Sequence, residues 1–585
     1  MFALEQQASQ KYSEVTKLMK KGYPTHHVQD LQCIRDLVYV NAGKYGDKPL
    51  YIHLENGQKT TFTYNDNKRC FDALGTAYAE LGLMKSTVAV VGDQHPDWMT
   101  AYLTTITAGG VIVPLDKELS CEQMVNFIKQ TECKAVFIAE KIFLHIEEYL
   151  AELDCVQYFI IIGPEPDRQK IAIDKRVMVF DDLIALGTRA MSEGKKDFIS
   201  YRRDPSKLCA ILFTSGTTGT SKGVMLTEEN LIGAVMSCCK MIEVDENDTF
   251  VSVLPIHHTF AMTCNHLAMC NIGGTTFMND SVKHALRNFA DFKPTTLIVV
   301  PLYVETICKK IWDGIRKKGK EKQVRALIKV SNGLRKVGID RRREFFAEIL
   351  NSLGGNIKQI VCGGAPLDPQ YIKDFENFGI TIAEGYGITE CAPLISVNPF
   401  HWRKLGSVGL PAVGMEVKID APKQSDDGEI LARGKNVFVG YYKNEEATAE
   451  AFTEDGWFRT GDIGHMDEDG FIYITGRKKN VIIASNGKNV YPEELEEHLL
   501  KNEKISEVVV IGRQTDGNTV ITAIIYPNFD IYAGTNTDDI LADLKKDING
   551  LNKTLPVYKQ IRDVEIRGTE FEKTTTRKIK RFLVK

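Results

Sequence analysis

The sequence predicts an α/β protein: a large N-terminal region of α/β sheets carrying a small β-rich unit, followed by a small α+β C-terminal domain. Three observations predict it. Over the first two-thirds of the 585 residues, short apolar runs alternate with segments of helical period, the pattern of parallel strands joined by helices. After about Pro411 the texture changes to short strands broken by Gly and Asp turns. From Pro492 a compact mixture of helix and strand signals runs to the C-terminus.

The elements follow in order. Phe71–Leu81 carries apolar residues at three- and four-residue spacing and reads as a helix. Thr87–Gly92 follows as a buried strand, Trp98–Ala108 as a helix, Val111–Pro114 as a strand, Glu122–Lys129 as a helix and Ala135–Ile138 as a strand. Leu208–Phe213 is a further apolar strand. Beyond Pro411, Glu429–Ala432, Val437–Val439 and Phe471–Ile474 read as short strands. A basic link, Arg477–Asn480, precedes a helix from Pro492, strands at Val508–Ile511 and Val520–Tyr526, and a helix at Asp538–Asn549. The main boundary is placed there, giving domains 1–478 and 479–585; a tail of roughly 100 residues suffices for one small domain.

Composition narrows the function. Lys and Arg number 73 against 77 Asp and Glu, a net charge of −4, with 43% hydrophobic residues. That balance argues against a nucleic-acid partner, which usually brings a basic excess, and excludes long-range disorder. The 13 cysteines are odd in number and lack a framework, so free thiols in a reducing compartment are expected. The start, Met1-Phe-Ala-Leu-Glu-Gln-Gln, has neither a basic nor an apolar leader region. Apolar runs such as Thr296–Val304 fall well short of the roughly 18 residues of a spanning helix. The expectation is a cytoplasmic protein, at most peripheral on the inner face of the membrane. One block stands apart: 309–343 holds 14 Lys/Arg against Asp313, Glu321 and Asp340. Ile307, Ile311 and Ile315 at four-residue spacing mark an amphipathic helix there. Two readings stay open, a solvated basic face or attraction to an anionic lipid surface or anionic substrate.

The most informative stretch is Leu212-Phe-Thr-Ser-Gly-Thr-Thr-Gly-Thr-Ser-Lys-Gly223. An apolar strand runs into a loop of glycines and hydroxyls ending in a lysine. Gly216 and Gly219 free backbone N–H groups to turn toward a ligand, while Thr214, Ser215, Thr217 and Thr218 can donate to phosphate oxygens. Lys222 adds a compact positive charge, worth about 4 kcal/mol against an anion at about 4 Å in a partly screened site. The spacing G-x-x-G-x-x-K is not that of P-loop NTPases, which disfavours a Walker-type kinase or GTPase.

This loop resembles the signature of the adenylate-forming superfamily: acyl-CoA synthetases, peptide-synthetase adenylation domains and firefly luciferase. Further motifs of that family follow in order: Val361-Cys-Gly-Gly-Ala-Pro-Leu367, Glu384-Gly-Tyr-Gly-Ile-Thr-Glu390, Gly428-Glu-Ile-Leu-Ala-Arg-Gly434, Trp457-Phe-Arg-Thr-Gly-Asp-Ile463 and Gly476-Arg-Lys-Lys-Asn480. The likeness covers most of the chain and is strongest to bacterial long-chain fatty acyl-CoA synthetases. It implies activation of a carboxylate by ATP through an acyl-adenylate, then transfer to coenzyme A, with Mg²⁺ as cofactor.

The resemblance also assigns residues. It places Thr214, Ser215, Gly216, Thr217, Thr218, Gly219 and Lys222 on the β- and γ-phosphates, Glu390 on Mg²⁺ and Thr389 on the α-phosphate. Tyr386, within Glu384, Gly385 and Gly387, would stack on adenine, with Gly363, Gly364 and Ala365 as the other wall. Asp462 would hold the ribose hydroxyls, and Arg477 would add a contact beside them. His258 would stand as a gate between acyl pocket and nucleotide, and His257 has no assigned role. Together with Cys264, His266 and Cys270, the two histidines form the only metal-looking cluster apparent in the chain, but the spacing fits no zinc pattern.

Near the C-terminus the chain departs from the family's P-x-T-x-x-G-K, reading Glu572-Lys-Thr-Thr-Thr-Arg-Lys-Ile-Lys-Arg581, with Arg577 at the usual glycine. Lys578 aligns with the lysine that reaches the acyl carboxylate during adenylation. In the family the C-terminal domain is mobile and rotates about a residue that is Lys479 here. The swing would exchange Lys578 for the Gly487 loop, which lines the thiol tunnel. The 61 residues between Pro301 and Gly363 resemble the longer connection of fatty acyl-CoA synthetases, favouring a medium- or long-chain fatty acid. Alternatives are an acyl-AMP ligase loading a phosphopantetheinyl acyl carrier protein, an aryl- or other carboxylate-CoA ligase, and a non-catalytic acyl- or nucleotide-binding regulator. No carrier domain is expected in the chain itself, which lacks a D-S-L-type serine motif after the synthetase motifs.

Overall fold

The alternating apolar runs become the strands of two large sheets. The computed structural model describes residues 26, 28–55, 57–215, 221–422, 426–484, 488–515, 518–574 and 578–584. The chain divides into two compact units. The first comprises Met1–Thr214, Lys222–Glu416 and Arg433–Glu450; the second comprises Ser215–Ser221, Val417–Ala432 and Ala451–Lys585.

In the first unit, an eight-stranded sheet runs in the order Gly440–Tyr441, Ser221–Thr227, Leu208–Ser215, Val111–Pro114, Thr87–Val91, Ala135–Ala139, Tyr158–Ile162, Val177–Val179. Its centre is parallel, with Val88 opposite both Ile112 and Ala135, and its strands are buried as near-continuous apolar runs. The expected helices are present as Tyr64–Glu80, Pro96–Thr107 and Cys121–Gln130. The first begins seven residues before the apolar period because Thr63 and Asp66 form a reciprocal capping box. Ser120 and Gln123 do the same for the third.

The second sheet of this unit has nine strands: Leu410–Pro411, Leu394–Val397, Thr381–Gly387, Gln359–Gly363, Thr296–Val299, Thr249–Ser252, Thr275–Met278, Pro49–Glu55 and Gln58–Thr63. Its interior pairs are parallel, and antiparallel pairs close both edges. Helix Pro301–Lys317 buries Ile307, Ile311, Trp312 and Ile315 against this sheet's core. The isoleucine stripe of the basic block therefore faces inward. Part of the block's charge is paired locally: Lys318 and Lys320 with Glu348, Arg325 with Glu321, and Arg342 with Asp340.

The second unit holds a four-stranded sheet, Met415–Asp420, Gly428–Gly434, Phe458–Met466 and Ile472–Arg477. A three-stranded sheet, Ile505–Thr515, Asn518–Pro527 and Asp563–Ile566, packs with helices Pro492–Leu500 and Thr537–Asn552 around Leu495, Val510, Ile521, Leu544 and Ile548. One expected strand is absent. Val437–Val439 is a loop, because its backbone groups are spent elsewhere: Phe438 N–H donates to Glu390 O, Val439 N–H to Met225 O, and Val437 O accepts from Asn230. All 13 cysteines are free. Among the described residues, no helix is long and apolar enough to cross a membrane.

Candidate active site

The signature loop joins two neighbouring strands, Leu208–Ser215 and Ser221–Thr227. Gly216, Thr217, Thr218 and Gly219 lie outside the described residues, as does the side chain of Ser215. Thr214 Oγ1 donates to Lys222 O at 3.4 Å across the base of the loop. The Lys222 ammonium lies over the Tyr441 ring, 4.8 Å from its centroid. Tyr441 in turn donates its hydroxyl to Glu390 Oε1 at 2.9 Å. Burial first, and then the Glu390 carboxylate, push the Tyr441 phenol far above its ordinary pKa, so it stays a donor.

Tyr441 thus connects the loop's cation to the carboxylate expected at the metal. Sequence reasoning missed it, since it stands 51 residues from Glu390. The signal that could have found it is the Gly-Tyr-Tyr segment after Val439, which pairs Tyr441 with Val224 just past the loop. Glu390 and Thr389 sit on a single 3₁₀ turn, Thr389–Cys391, immediately after strand Thr381–Gly387.

The glycines act by close approach. Gly363 and Gly385 are opposite one another on parallel strands, and a Cβ on Gly363 would lie 3.0 Å from Gly385 O. A Cβ on Gly387 would lie 2.2 Å from Pro393 O, so no other residue fits there without a backbone shift. Gly364 holds φ +88°, and Ala365 is exposed beside it. Tyr386 and Glu384 are buried on the same strand.

Gly363, Gly364, Gly385, Tyr386 and Gly387 share one cavity with Cys238, Ile242, Val244, Phe260, Cys264, Met269, Ile298, Val361, Leu394 and Val397. A glycine backbone edge therefore borders an apolar cavity. Phe260 and Cys264 enter it from a π-helix, Phe260–Leu267, a rare geometry that often marks functional positions.

His257 and His258 occupy the turn before that helix, with rings 4.1 Å apart. His258 is half-buried. Burial, reinforced by Lys117, pushes the His257 imidazole down to about 3, and His257 Nε2 lies 3.5 Å from Asp116. The histidine–cysteine group does not converge on a common point. His266 is paired with Ser252 at 3.1 Å, and Cys264 faces the Cys238 thiol at 3.4 Å. Cys264, His266 and Cys270 are core side chains.

In the second unit, Asp462 and Arg477 stand opposite one another on antiparallel strands, and Arg477 Nε meets Asp462 Oδ1 at 2.6 Å. Asp462 is buried, while the Arg477 side chain is 42% exposed. The Thr460 hydroxyl accepts from the Asp462 N–H and donates to Ile430 O, which fixes the turn. Lys578 belongs to the same group. Its residue is exposed, and its ammonium interacts electrostatically with both Arg477 and Asp462. Burial lowers its pKa, the Arg477 charge lowers it further, and Asp462 opposes them. The neighbouring cations are occupied: Lys573 pairs with Glu507 and Glu570, and Arg581 with Glu496.

Lys479 lies on the 3₁₀ turn Lys478–Asn480. Gly487 lies outside the described residues; the strands flanking it, Ile482–Ile483 and Asn489–Val490, pair as a hairpin. Arg577 is likewise outside them.

Chemically, the first unit presents a lysine, a tyrosine-held carboxylate and a glycine-edged apolar cavity. The second presents a buried carboxylate paired with an arginine, with a lysine that interacts with both. Among known proteins, the family model for AMP-binding enzymes matches residues 38–442, and that for the AMP-binding enzyme C-terminal domain matches residues 479–584. The chain is 28% identical to the long-chain-fatty-acid–CoA ligase FadD15 of Mycobacterium bovis, covering 92% of both chains. It is 26% identical to the chloroplastic long-chain-fatty-acid–[acyl-carrier-protein] ligase AEE15 of Arabidopsis thaliana, over 85% of this chain and 76% of that one. In fold it is similar to the crystal structure of the anthranilate CoA ligase AuaEII in complex with anthranoyl-AMP, with a TM-score of 0.75 and 18% identity over 95% of this chain and 97% of that one. With the family model covering more than half of its length, the chain belongs to the AMP-binding enzymes.

Proposed function

We propose that the protein activates a medium- or long-chain fatty acid with ATP, forming an acyl-adenylate and pyrophosphate, and transfers the acyl group to coenzyme A with release of AMP. The observation that carries this reading is the apolar cavity at the Gly363–Gly385 backbone edge. It suits an alkyl chain whose carboxylate ends beside a nucleotide. The relatives named as long-chain fatty acid ligases support the same substrate class.

Adenylation brings two anions together, so catalysis rests on neutralisation and alignment. Lys222 and the loop hydroxyls bind the β- and γ-phosphates, and Thr389 donates to the α-phosphate. Glu390 fits Mg²⁺, a hard cation that takes carboxylate and water oxygens, and its half-buried carboxylate is oriented by Tyr441. The bound cation supplies charge neutralisation between phosphate oxygens. Tyr386 stacks on adenine and Asp462 accepts from the ribose hydroxyls, with Arg477 beside it. Lys578 stabilises the charge developing between carboxylate and α-phosphorus, and His258 gates the acyl pocket. Domain 479–585 turns about Lys479 after adenylation, replacing Lys578 with the Gly487 loop so that the thiol can attack.

The test is a panel of acids graded by chain length, assayed for thioester formation with free coenzyme A and with an acyl carrier protein. Medium- or long-chain acids with coenzyme A should turn over fastest. Activity with carrier protein alone, or with aryl acids alone, would replace this reading.

A further inference from the structure

Away from the proposed adenylation machinery, the first unit brings His95 beside two metal-ligating side chains, His53 and Glu55, that lie far from it in sequence. His53 and Glu55 lie two residues apart on strand Pro49–Glu55, and His95 caps helix Pro96–Thr107. His53 Nε2 is 3.1 Å from Glu55 Oε1, and His95 Nε2 is 3.6 Å from the same oxygen. One ligand atom from each residue lies within 4.8 Å of the others. Zn²⁺ bound at about 2.0–2.1 Å in a tetrahedron separates its ligands by roughly 3.3 Å, so the two histidine–carboxylate edges have the spacing of a ligand set.

The surroundings orient the group. Asp97 Oδ2 stands 3.1 Å from His95 Nδ1 and is itself held by the Gly163 N–H at 3.0 Å. The Asp97 N–H donates to the same ring nitrogen at 3.3 Å and so caps the helix. Metal binding through Nε2 would move the ring proton to Nδ1, where the Asp97 carboxylate at 3.1 Å can accept it in place of that cap bond. That Nε2 is buried and has no hydrogen-bond partner among the described residues. Thr60 Oγ1 donates to the other oxygen of Glu55 at 3.3 Å. His53 is only 5% exposed. Two imidazoles, one carboxylate and a carboxylate behind a histidine form the donor set of a borderline divalent cation.

We propose that His53, Glu55 and His95 form a binding site for a divalent transition metal of the Zn²⁺ class, separate from Glu390, that fastens strand Pro49–Glu55 to the start of helix Pro96–Thr107. The fourth position belongs to water. Asp97 is a positioning residue acting through His95.

The test uses the full chain, stripped with chelator and titrated with Zn²⁺ alone in competition with a chromophoric chelator. X-ray absorption is read at one equivalent, because 13 thiols compete. The expected result is one equivalent bound through nitrogen and oxygen only, with a raised unfolding midpoint. Glu55→Gln and His95→Gln should each weaken binding by about tenfold or more and abolish the stabilisation. Asp97→Asn should weaken it by about 10–100-fold, the usual cost of losing an outer partner. No uptake would show that the cluster is a proton-sharing histidine–carboxylate group and would overturn the proposal. A sulfur shell, or affinity unchanged in folded variants, would overturn it equally. Should a variant fail to fold, the absorption spectrum of the wild type decides alone.

Discussion

The Tyr441 hydroxyl donates to Glu390 Oε1 at 2.9 Å while its ring lies beneath the Lys222 ammonium. One aromatic side chain thereby sets the spacing between the cation of the glycine-rich loop and the carboxylate proposed for Mg²⁺. Tyr441→Phe keeps the ring and removes the donor. A lost hydrogen bond to a charged group costs about 1.5–3 kcal/mol, so pyrophosphate release should fall by roughly 10- to 100-fold, with a raised Mg²⁺ requirement. Wild-type rates and Mg²⁺ dependence in this variant would remove Tyr441 from the account.

Asp462 is buried and faces Arg477 at 2.6 Å, an arrangement suited to a ribose. Asp462→Ala should raise KM for ATP by about tenfold, the worth of one good hydrogen bond of about 1.4 kcal/mol. It should also erase discrimination between ATP and its 2′,3′-dideoxy analogue. Kinetic comparison of the two nucleotides checks this, and retained discrimination would assign the ribose elsewhere.

The cavity makes a prediction about chain length. Val361 lines it two residues before Gly363, on the same face of the strand. Val361→Phe adds volume inside a packed wall, which costs about 1–3 kcal/mol in stability and should move the preferred acid toward shorter chains. A chain-length profile identical to that of the wild type would place the acyl group outside this cavity.

A buried histidine, His266, and a largely buried one, His257, predict how stability responds to acid. Burial lowers His257 and His266 to about 3 from an ordinary 6.5. Between those values the unfolded chain binds protons that the folded state refuses. Stability from each neutral imidazole is therefore complete above about pH 6.5 and lost as pH falls toward 3, at about 1.4 kcal/mol per pH unit. His266→Gln should shallow that slope by one proton, measured from urea unfolding at a series of pH values between 4 and 7.

The parts legible in the sequence are those whose partners are close along the chain. The helix at Cys121–Gln130 follows from its period and capping box. Asp462 and Arg477 sit on adjacent strands of one antiparallel pair, so their motifs lie close in sequence. Long-range pairing was not legible. Tyr441 reaches Glu390 across 51 residues, and the nine-stranded sheet seats Pro49–Glu55 beside Thr275–Met278. Val437–Val439 has the composition of a strand, yet its amides and carbonyls are taken by Glu390, Met225 and Asn230. His53 and His95 meet only because a strand end and a helix cap converge; by contrast, Cys264, His266 and Cys270, close together in sequence, are separate core side chains.

The central claim is that Lys578 serves adenylation and leaves the site for thioester formation, and comparing the two half-reactions of Lys578→Ala tests it most directly. Pyrophosphate release from acid and ATP should fall by about 100- to 1000-fold, the usual cost of one preorganised charge-stabilising group, while conversion of preformed acyl-AMP and coenzyme A stays close to wild type. An equal loss in both half-reactions would contradict the account.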